Sequence, residues 1–572
     1  MNAMLHHPIT AHLGSLTEVL SHHAQTIGDK PVYVYVPPRT TTAVELTYQR
    51  LFERATSIAA RLIEDGLAGK SVLLLYPPGL EFIEAFYGCM FANVSNIPMY
   101  VPVRNVPDSR LRAIAETVDI AAILTVGAKA ELVASVAEQL FGDEPRPIIL
   151  TDTVLPYQGS EWDIPTDHSV APLIQFTSGS TSKPKGVVVT HSNIMANQRM
   201  IQRSFGHRGG ETVVGWLPFF HDMGMIGNIM QPLFIGGCSV LMSSADFLQF
   251  PSKWLHLVSL HRAETSGAPN FAYDYCVSRI TDEQIDEIDL SGWKVAYNGA
   301  EMIRPATMKR FSDRFARAGF QPRAVLNCYG MAETTLYVTA GRCFPDGLAT
   351  PAASAPDLIA SVGRPDAESI VRVVDPVACR EVAEQSVGEV WVRGPHVAAG
   401  YVNNPVATKE IFGAKLEGEP DETYLRTGDL AFMQGGELHI VGRLKNLIVV
   451  NGRNYHGEEI EYFGARSDDH FLESGACLVQ MNEGLSENEI VFMQEIKKSS
   501  FDEVRKDLKR LEDKSFTLSR RILNEFSLPV HRFIYFRENR LPRTSSGKID
   551  RGRVQGFAQA EPAGILMEVR TR

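Results

Sequence analysis

The segment TSGSTSKPKG, residues 177–186, joins two short apolar runs, 173–177 and 187–190, that are predicted to be β-strands. Small hydroxyl residues around Gly179 leave backbone N–H groups free to converge on one concavity, and such a nest binds phosphate oxygens. Lys185 adds positive charge beside it. The segment therefore predicts a phosphate-binding loop, while a flexible polar hairpin turn remains the alternative that composition alone leaves open.

Two better-known loops do not match this segment. In a Walker A loop a Gly-Lys pair follows the first glycine, whereas Pro184 stands five residues after Gly179. The serine-hydrolase elbow requires the pattern G-x-S-x-G, which this loop does not contain.

Strand-like and helix-like segments alternate on both sides of the loop. Residues 48–65 carry apolar side chains at helical spacing, 71–76 (SVLLLY) form a buried-strand pattern, and 80–91 are again helix-like. Such alternation is typical of βαβ units and parallel sheets. Short strands follow between about 365 and 442. We expect an α/β fold: a large N-terminal domain of parallel α/β sheets with a β-rich subdomain, and a small, mobile α+β C-terminal domain.

Composition limits the possible functions of the chain. It has 572 residues and a formal net charge of −11, which argues against nucleic-acid or anionic-membrane binding because both require a basic face. Seven scattered cysteines, without a C-x-x-C pair, indicate reduced thiols. Neither a signal peptide nor a stretch of about 18 apolar residues is found. We therefore expect a cytoplasmic enzyme with no transmembrane segment.

Further motifs follow the loop in a fixed order. They are WLPFFHDMG (216–224), NGAE (298–301), YGMAE (329–333), YLRTGD (424–429), GRLKN (442–446) and PRTSSGK (542–548). Together with the loop they resemble the acyl-adenylate-forming superfamily over nearly the whole chain. Three segments, HDMGMIG (221–227), SGAPNFAYDYCVSRI (266–280) and AETTLYVT (332–339), are most similar to the fatty acyl-AMP ligases.

This resemblance implies a two-step reaction. A fatty acid is activated with ATP to acyl-AMP, pyrophosphate is released, and the acyl group passes to the phosphopantetheine thiol of an acyl carrier protein. An acyl-CoA ligase using free coenzyme A is the alternative, and a catalytically inactive nucleotide-binding scaffold is the third hypothesis. ATP and Mg²⁺ are the implied substrate and cofactor, and a carboxylate such as Glu333 suits Mg²⁺.

The resemblance also assigns roles to residues. His221 and Lys548 are implied to act on the reacting carboxylate and α-phosphate, Glu333 to hold the metal, Asp429 to bind the ribose, and Tyr329 to stack on adenine. The remaining ATP- and AMP-binding candidates are Thr177, Ser178, Gly179, Ser180, Thr181, Lys185, Asn298, Gly299, Ala300, Gly330, Met331, Ala332 and Arg443.

Lys445 matches the hinge between the two domains, which gives the boundaries 1–442 and 443–572. An apolar channel for the acyl chain, with plain core packing as the equal alternative, is predicted from Phe219, Met225, Ile226, Phe271 and Tyr273.

Some positions depart from the family pattern. Met302 replaces a usual proline, Asn446 stands where aspartate is common, and 455–457 read YHG. The link from Ala340 to Ala360 is short, whereas fatty acyl-AMP ligases carry an insertion there that is thought to disfavour coenzyme A. Adenylation is therefore the stronger expectation and the carrier-protein acceptor the weaker one.

Overall fold

The computed structural model describes residues 12–40, 42–102, 107, 109–142, 144–159, 162, 169–177, 184–344, 359–450, 453–481, 489–543, 549–559 and 564–571. These residues form two compact units. The larger unit contains the described parts of Met1–Thr177, Lys183–Thr427 and Phe432–Ile440, and the smaller unit contains Gly428–Ala431 and the described parts of Val441–Arg572.

The strands are numbered in chain order. They are β1 Pro31–Tyr35, β2 Val44–Thr47, β3 Ser71–Tyr76, β4 Ser95–Tyr100, β5 Ile120–Thr125, β6 Ile148–Leu150, β7 Leu173–Thr177, β8 Lys185–Val189, β9 Thr212–Gly215, β10 Cys238–Leu241, β11 Thr265–Pro269, β12 Val295–Gly299, β13 Val325–Gly330, β14 Tyr337–Arg342, β15 Arg364–Pro365, β16 Ile370–Asp375, β17 Arg380–Glu381, β18 Gly388–Arg393, β19 Gly400–Tyr401, β20 Leu425–Gln434, β21 Glu437–Arg443, β22 Leu447–Val450, β23 Arg453–His456, β24 Phe471–Met481, β25 Glu489–Ile496, β26 Arg532–Arg537 and β27 Ile565–Arg570.

The helices are numbered in the same way. They are α1 Leu16–Ile27, α2 Tyr48–Glu64, α3 Leu80–Phe91, α4 Ser109–Thr117, α5 Ala130–Phe141, α6 His191–Phe205, α7 Asp222–Gly224, α8 Gln231–Phe234, α9 Ser244–Gln249, α10 Pro251–Leu260, α11 Asn270–Arg279, α12 Asp282–Asp286, α13 Pro305–Phe315, α14 Pro405–Phe412, α15 Gly457–Ala465, α16 Phe501–Lys506, α17 Leu508–Phe526 and α18 Arg551–Gln559. A π-helical stretch, Met225–Met230, connects α7 to α8.

Two mainly parallel sheets dominate the larger unit. The first has the order β15-β14-β13-β12-β11-β9-β10-β1-β2, and its strands from β13 to β1 run parallel. The second has the order β19-β8-β7-β4-β3-β5-β6, with parallel pairing from β7 to β6. The central parallel strands are buried along most of their length, as expected for parallel sheets covered by helices. The predicted α/β fold is confirmed.

Helix α2 illustrates how the sequence forms these layers. The Oγ1 atom of Thr47 accepts a hydrogen bond from the Arg50 N–H and so caps the helix. The apolar side chains at helical spacing then turn one face towards α3 and the sheet, where Leu51, Ala55 and Ile58 are at most 1% exposed.

A third sheet, β17-β16-β18-β20-β21, forms the predicted β-rich region. The smaller unit contains the β22-β23 hairpin and a four-stranded sheet, β24-β25-β26-β27, packed with α15, α17 and α18. This agrees with the predicted α+β C-terminal domain.

Polar side chains cap two further helices. Thr190 caps α6: its Oγ1 accepts from the Asn193 N–H, and the Asn193 amide oxygen accepts from the Thr190 N–H. Asp507 leaves the helical conformation after α16, and its side chain caps α17 by accepting from the Arg510 N–H. The segment 348–360 lies mostly outside the described residues.

Candidate active site

The carboxyl ends of β11, β12 and β13 meet at one edge of the first sheet. These strands are parallel and adjacent, and Ala268 pairs with Asn298, which in turn pairs with Asn327. In open α/β sheets, the crevice outside such strand ends is where ligands bind. The motifs NGAE and YGMAE both begin at this edge.

Asn298 and Gly299 end β12, and both are tightly packed. The Asn298 amide N–H donates to Asn270 Oδ1 at 3.1 Å, and Asn298 is fully buried. A Cβ atom on Gly299 would lie 2.9 Å from the carbonyl oxygen of Cys328. Ala300 follows with a φ of 66°, in the left-handed region that a non-glycine residue seldom adopts. These residues shape the strand end mainly through their backbone.

The segment after β13 turns sharply. A Cβ atom on Gly330 would lie 1.6 Å from the Leu336 carbonyl oxygen, so no other residue fits the observed backbone. Met331 is extended, Ala332–Thr334 form one turn of 3-10 helix, and Thr335 has a φ of 65°. The strained turn places Glu333 immediately beyond the strand end.

Glu333 is 8% exposed and has a defined partner. Its Oε1 atom accepts a hydrogen bond from the Tyr401 hydroxyl at 2.8 Å, and its backbone oxygen accepts from the Ala398 N–H at 2.9 Å. Helix α6 supports the same turn, because the Asn197 amide donates to the carbonyl oxygens of Thr334 and Tyr337. The carboxylate is therefore carried on a rigid support.

The glycine-rich loop connects β7 to β8, which pair antiparallel from Leu173 with Val189 to Thr177 with Lys185. The predicted loop residues Ser178, Gly179, Ser180 and Thr181 lie outside the described residues. Lys185 begins β8, and its Nζ atom lies 4.8 Å from the centroid of the Tyr401 ring. Lys185 and Glu333, which are far apart in sequence, thus contact the same tyrosine.

His221 stands at the N-terminus of α7. Its Nδ1 atom lies 2.6 Å from Asp222 Oδ1, so the neighbouring carboxylate orients the imidazole ring. The preceding carbonyl, that of Phe220, accepts a hydrogen bond from the Gln175 amide on β7 at 2.8 Å. This bond ties the His221 segment to the strand that leads into the glycine-rich loop.

The five predicted acyl-pocket residues separate into two groups. Phe219, Met225 and Ile226 belong to the core cluster around α3 and the π-helix. Tyr273 belongs to a second cluster, and Phe271 packs against that cluster. The Tyr273 hydroxyl donates to the Tyr297 carbonyl oxygen at 2.7 Å. All except Phe271 are buried, and the acyl channel stays a prediction.

The smaller unit holds the predicted ribose-binding pair. Arg443 Nε donates to Asp429 Oδ1 at 2.6 Å, and Asp429 is 5% exposed. Burial, together with the neighbouring Arg443, lowers the pKa of Lys445 to about 8. Lys548 lies outside the described residues, but the chain on both sides of it is tied together by a bridge between Arg543 and Ile549.

The donor set suits a magnesium ion bound with its nucleotide. The described residues contain no cluster of three or more His, Cys, Asp and Glu side chains that could hold a metal by themselves. Mg²⁺ usually binds through one or two carboxylates together with substrate phosphates and water, and the supported Glu333 carboxylate meets that need.

Sequence reasoning missed the supporting side chains. Tyr401, Asn193, Asn197 and Asn270 all hold site segments in place. The first three lie outside the quoted motifs, and Asn270 lies in the segment 266–280 but was given no role there. Their partners are between 28 and 204 positions away in sequence, so no local signal identified them.

Within the described chain, every helix is too short or too polar to cross a lipid bilayer.

Comparison with known proteins places the chain in a family. Residues 20–402 match the AMP-binding enzyme family, and the chain belongs to it. A medium-chain-fatty-acid–[acyl-carrier-protein] ligase, JamA of Moorena producens, is 32% identical, with 94% of each chain covered. A long-chain-fatty-acid–AMP ligase, FadD26 of Mycobacterium marinum, is 35% identical over 89% of this chain and 90% of the other.

A solved structure agrees with these relatives. The fatty acyl-adenylate ligase from L. pneumophila, in complex with acyl adenylate and pyrophosphate, is 30% identical and superposes with a TM-score of 0.74, covering 98% of this chain and 99% of that chain. The chain is therefore an enzyme with the fold of an adenylate-forming ligase.

Proposed function

We propose that this enzyme activates a fatty acid with ATP and transfers the acyl group to the phosphopantetheine thiol of an acyl carrier protein. The relatives named above support both the adenylate and the carrier. The structural observation that supports it most is the pairing of Lys185 and Glu333 on Tyr401, because a cation and a carboxylate are both needed around a magnesium-bound polyphosphate.

The chemistry explains why such a site is needed. A carboxylate oxygen of the fatty acid attacks the α-phosphorus of ATP, the bond from that phosphorus to the bridging oxygen breaks, and pyrophosphate leaves with the bonding electrons. The thiolate of the carrier then attacks the acyl carbon of the mixed anhydride and AMP leaves. Two anions must meet in the first step, so catalysis depends on positioning and on positive charge around the phosphates.

We assign the glycine-rich loop and residues of the larger unit to the nucleotide and the fatty acid. Thr177, Ser178, Gly179, Ser180, Thr181 and Lys185 bind the β- and γ-phosphates; Asn298, Gly299, Ala300, Tyr329, Gly330, Met331 and Ala332 form the adenine side. His221, oriented by Asp222, positions the fatty-acid carboxylate. Glu333 holds Mg²⁺, which supplies charge neutralisation on the phosphates when it is bound.

Residues of the smaller unit complete the assignment. Asp429 accepts hydrogen bonds from the ribose hydroxyls and Arg443, already bound to it, orients that carboxylate. Lys548 contributes an ammonium group to the α-phosphate and the reacting carboxylate during adenylation. We further propose domain boundaries at 1–442 and 443–572, with a hinge at Lys445 that alternates the two half-reactions.

All seven cysteines are free thiols, which supports a reducing compartment such as the cytoplasm.

An acceptor assay tests the function. The enzyme is incubated with ATP, Mg²⁺ and a series of fatty acids, and acyl-AMP, pyrophosphate and thioester are quantified with either a phosphopantetheinylated carrier protein or coenzyme A. We expect thioester on the carrier and little acyl-CoA. Abundant acyl-CoA would identify the enzyme as a coenzyme A ligase, and no pyrophosphate with any acid would identify an inactive nucleotide-binding scaffold.

A further inference from the structure

Tyr401 binds two groups of opposite charge with two parts of one side chain. Its hydroxyl donates to Glu333 Oε1 at 2.8 Å, and the Lys185 ammonium lies over its ring, 4.8 Å from the centroid. The electron-rich face of a tyrosine ring attracts a cation within about 6 Å, whereas the hydroxyl hydrogen attracts a carboxylate. Tyr401 is 8% exposed, so both contacts are largely shielded from water.

The backbone around Tyr401 directs its side chain to this place. Gly400 pairs with Val188 and Tyr401 pairs with Val187, which lie three and two positions after Lys185 on the strand that Lys185 begins. The Tyr401 N–H donates to Thr408 Oγ1 at 2.9 Å. The Tyr401 ring also packs edge-on against Phe412, with centroids 5.2 Å apart.

Glycine is required next to Tyr401. Gly400 has a φ of 137°, and a Cβ atom there would lie 2.4 Å from Thr408 Cγ2. The close approach of α14 to β19 therefore determines where the tyrosine ring stands.

We propose that Tyr401 is a positioning residue for the polyphosphate end of the nucleotide site, holding the Glu333 carboxylate with its hydroxyl and the Lys185 ammonium over its ring so that both charges can act on magnesium-bound ATP. The inference rests on the proposed function, since it assigns Lys185 to phosphate and Glu333 to metal. Tyr401 itself is assigned no contact with substrate or metal.

Competition between ion pairs explains why a neutral residue is needed between Lys185 and Glu333. A lysine and a glutamate in a shielded site attract each other strongly, and a direct pair between them would occupy the charges that the nucleotide needs. A tyrosine is neutral, so it can satisfy both groups without cancelling either charge. The ring adds bulk that keeps the two charged groups from closing on each other.

Two substitutions separate the two contacts. Tyr401→Phe removes the hydroxyl bond to Glu333 and keeps the ring, whereas Tyr401→Leu removes both. Binding of α,β-methylene-ATP to the full-length enzyme is measured by calorimetry with and without Mg²⁺, and AMP serves as the ligand that lacks the β- and γ-phosphates. No fatty acid is present, so turnover does not enter the measurement.

We expect Tyr401→Phe to weaken Mg²⁺-dependent binding of the analogue about tenfold and to leave metal-free binding unchanged, because a hydrogen bond to a charged group is lost. Tyr401→Leu should also weaken metal-free binding roughly two- to fivefold, since Lys185 loses its ring. AMP affinity should stay at the wild-type value in both variants.

Tyr424→Phe is the matched control. The Tyr424 hydroxyl donates to Glu419 at 2.6 Å and Arg393 lies 5.5 Å from its ring, so Tyr424→Phe likewise removes a bond to a carboxylate and keeps the ring beside a cation, at a place to which no nucleotide contact is assigned. We expect this variant to bind both ligands as the wild type does. Thermal unfolding of each variant confirms that it is folded at the temperature of the titration.

A double substitution tests whether Tyr401 acts through Glu333. In a Glu333→Gln background, adding Tyr401→Phe should change analogue binding no further. An additive loss, or an equal loss of AMP and analogue affinity in Tyr401→Phe, would overturn the proposal in favour of a general structural role. An enzyme that binds magnesium-ATP as described but never forms acyl-AMP would refute the proposed function alone.

Discussion

At the scale of single residues, the site depends on uncharged side chains that hold its charged groups and loops in place. Asn193 and Asn197 on α6 donate to carbonyl groups of two different loops, and Tyr401 connects Glu333 to Lys185. Such buried hydrogen bonds restrict the rotamers of the charged groups that meet the substrate. The stability of these supports is therefore also a condition for catalysis.

His396 makes the larger unit sensitive to acid. Burial lowers the pKa of His396 from 6.5 to about 4, although Asp366 partly opposes the shift. Below pH 6.5 the histidine binds a proton in the unfolded chain but stays neutral in the folded chain. The folded state is therefore destabilised relative to the unfolded state as the pH falls from about 6.5 to about 4. Between pH 7 and pH 5 this effect lowers the free energy of unfolding by on the order of 2 kcal/mol. We expect His396→Gln to abolish that part of the pH dependence.

Denaturant midpoints of the larger unit at both pH values check this prediction. The same substitution at exposed His256 is the control. An identical pH dependence in His396→Gln and the wild type would contradict it.

Lys548 is expected to serve one half-reaction only. Lys548→Ala should reduce acyl-AMP formation by about a hundredfold or more, because the charge on the α-phosphate is lost, and should leave transfer from preformed acyl-AMP within about twofold of wild type. Pyrophosphate release and single-turnover thioester formation measure the two steps separately. Equal losses in both steps would refute the division of labour.

At the scale of elements, the turn that follows β13 determines where Glu333 stands. Its geometry depends on the close approach of Gly330 to Leu336, on the 3-10 turn and on the bonds from α6. None of these features is periodic. The direction of the residues after the strand therefore depends on the neighbouring elements.

Gly330→Ala should disrupt this turn. The new Cβ atom meets a backbone oxygen, which cannot move aside as a flexible side chain can, so we expect a loss of about 3 kcal/mol in the stability of the larger unit and loss of ATP-analogue binding. Urea unfolding and calorimetric titration measure the two effects. Gly292→Ala, whose nearest non-neighbouring atom is 3.9 Å away, should change neither.

At the scale of the whole molecule, the two units have separate cores. The main clusters of the larger unit draw on residues between Leu16 and Tyr401, and those of the smaller unit on residues between Ile448 and Val569. In the smaller unit, Arg551 donates to Glu461 Oε1 at 2.6 Å and lies 3.6 Å from Glu458, which accepts from the Asn446 amide. A change in this ion cluster should therefore act on the smaller unit first.

Arg551→Met should destabilise the smaller unit by about 3–5 kcal/mol, because it leaves the buried Glu461 carboxylate without its cation. Differential scanning calorimetry of the full-length enzyme should show one transition moving to lower temperature and the other unchanged. Exposed Arg553→Met is the control on the same helix. If both transitions move together, the two cores do not unfold independently.

The sequence by itself determined the fold class, the course of many elements and the family. Residues 71–76 and 80–91 were predicted as a strand and a helix and are confirmed with those bounds, since local periodicity and apolar content dictate them. The motifs likewise determined which residues are candidates for the site, because residue types at set spacings carry the chemistry.

The tertiary structure alone decided which candidates meet and what supports them. The sequence separates Lys185 from Glu333 by 148 positions and Glu333 from Tyr401 by 68. The three residues meet because β8 pairs with β19, and because the turn after β13 is hydrogen-bonded to Tyr401 and to the segment that precedes β19. The acyl-pocket candidates, by contrast, separate into two cores. Long-range contacts of this kind depend on how sheets and helices pack, and no local pattern in the chain encodes them.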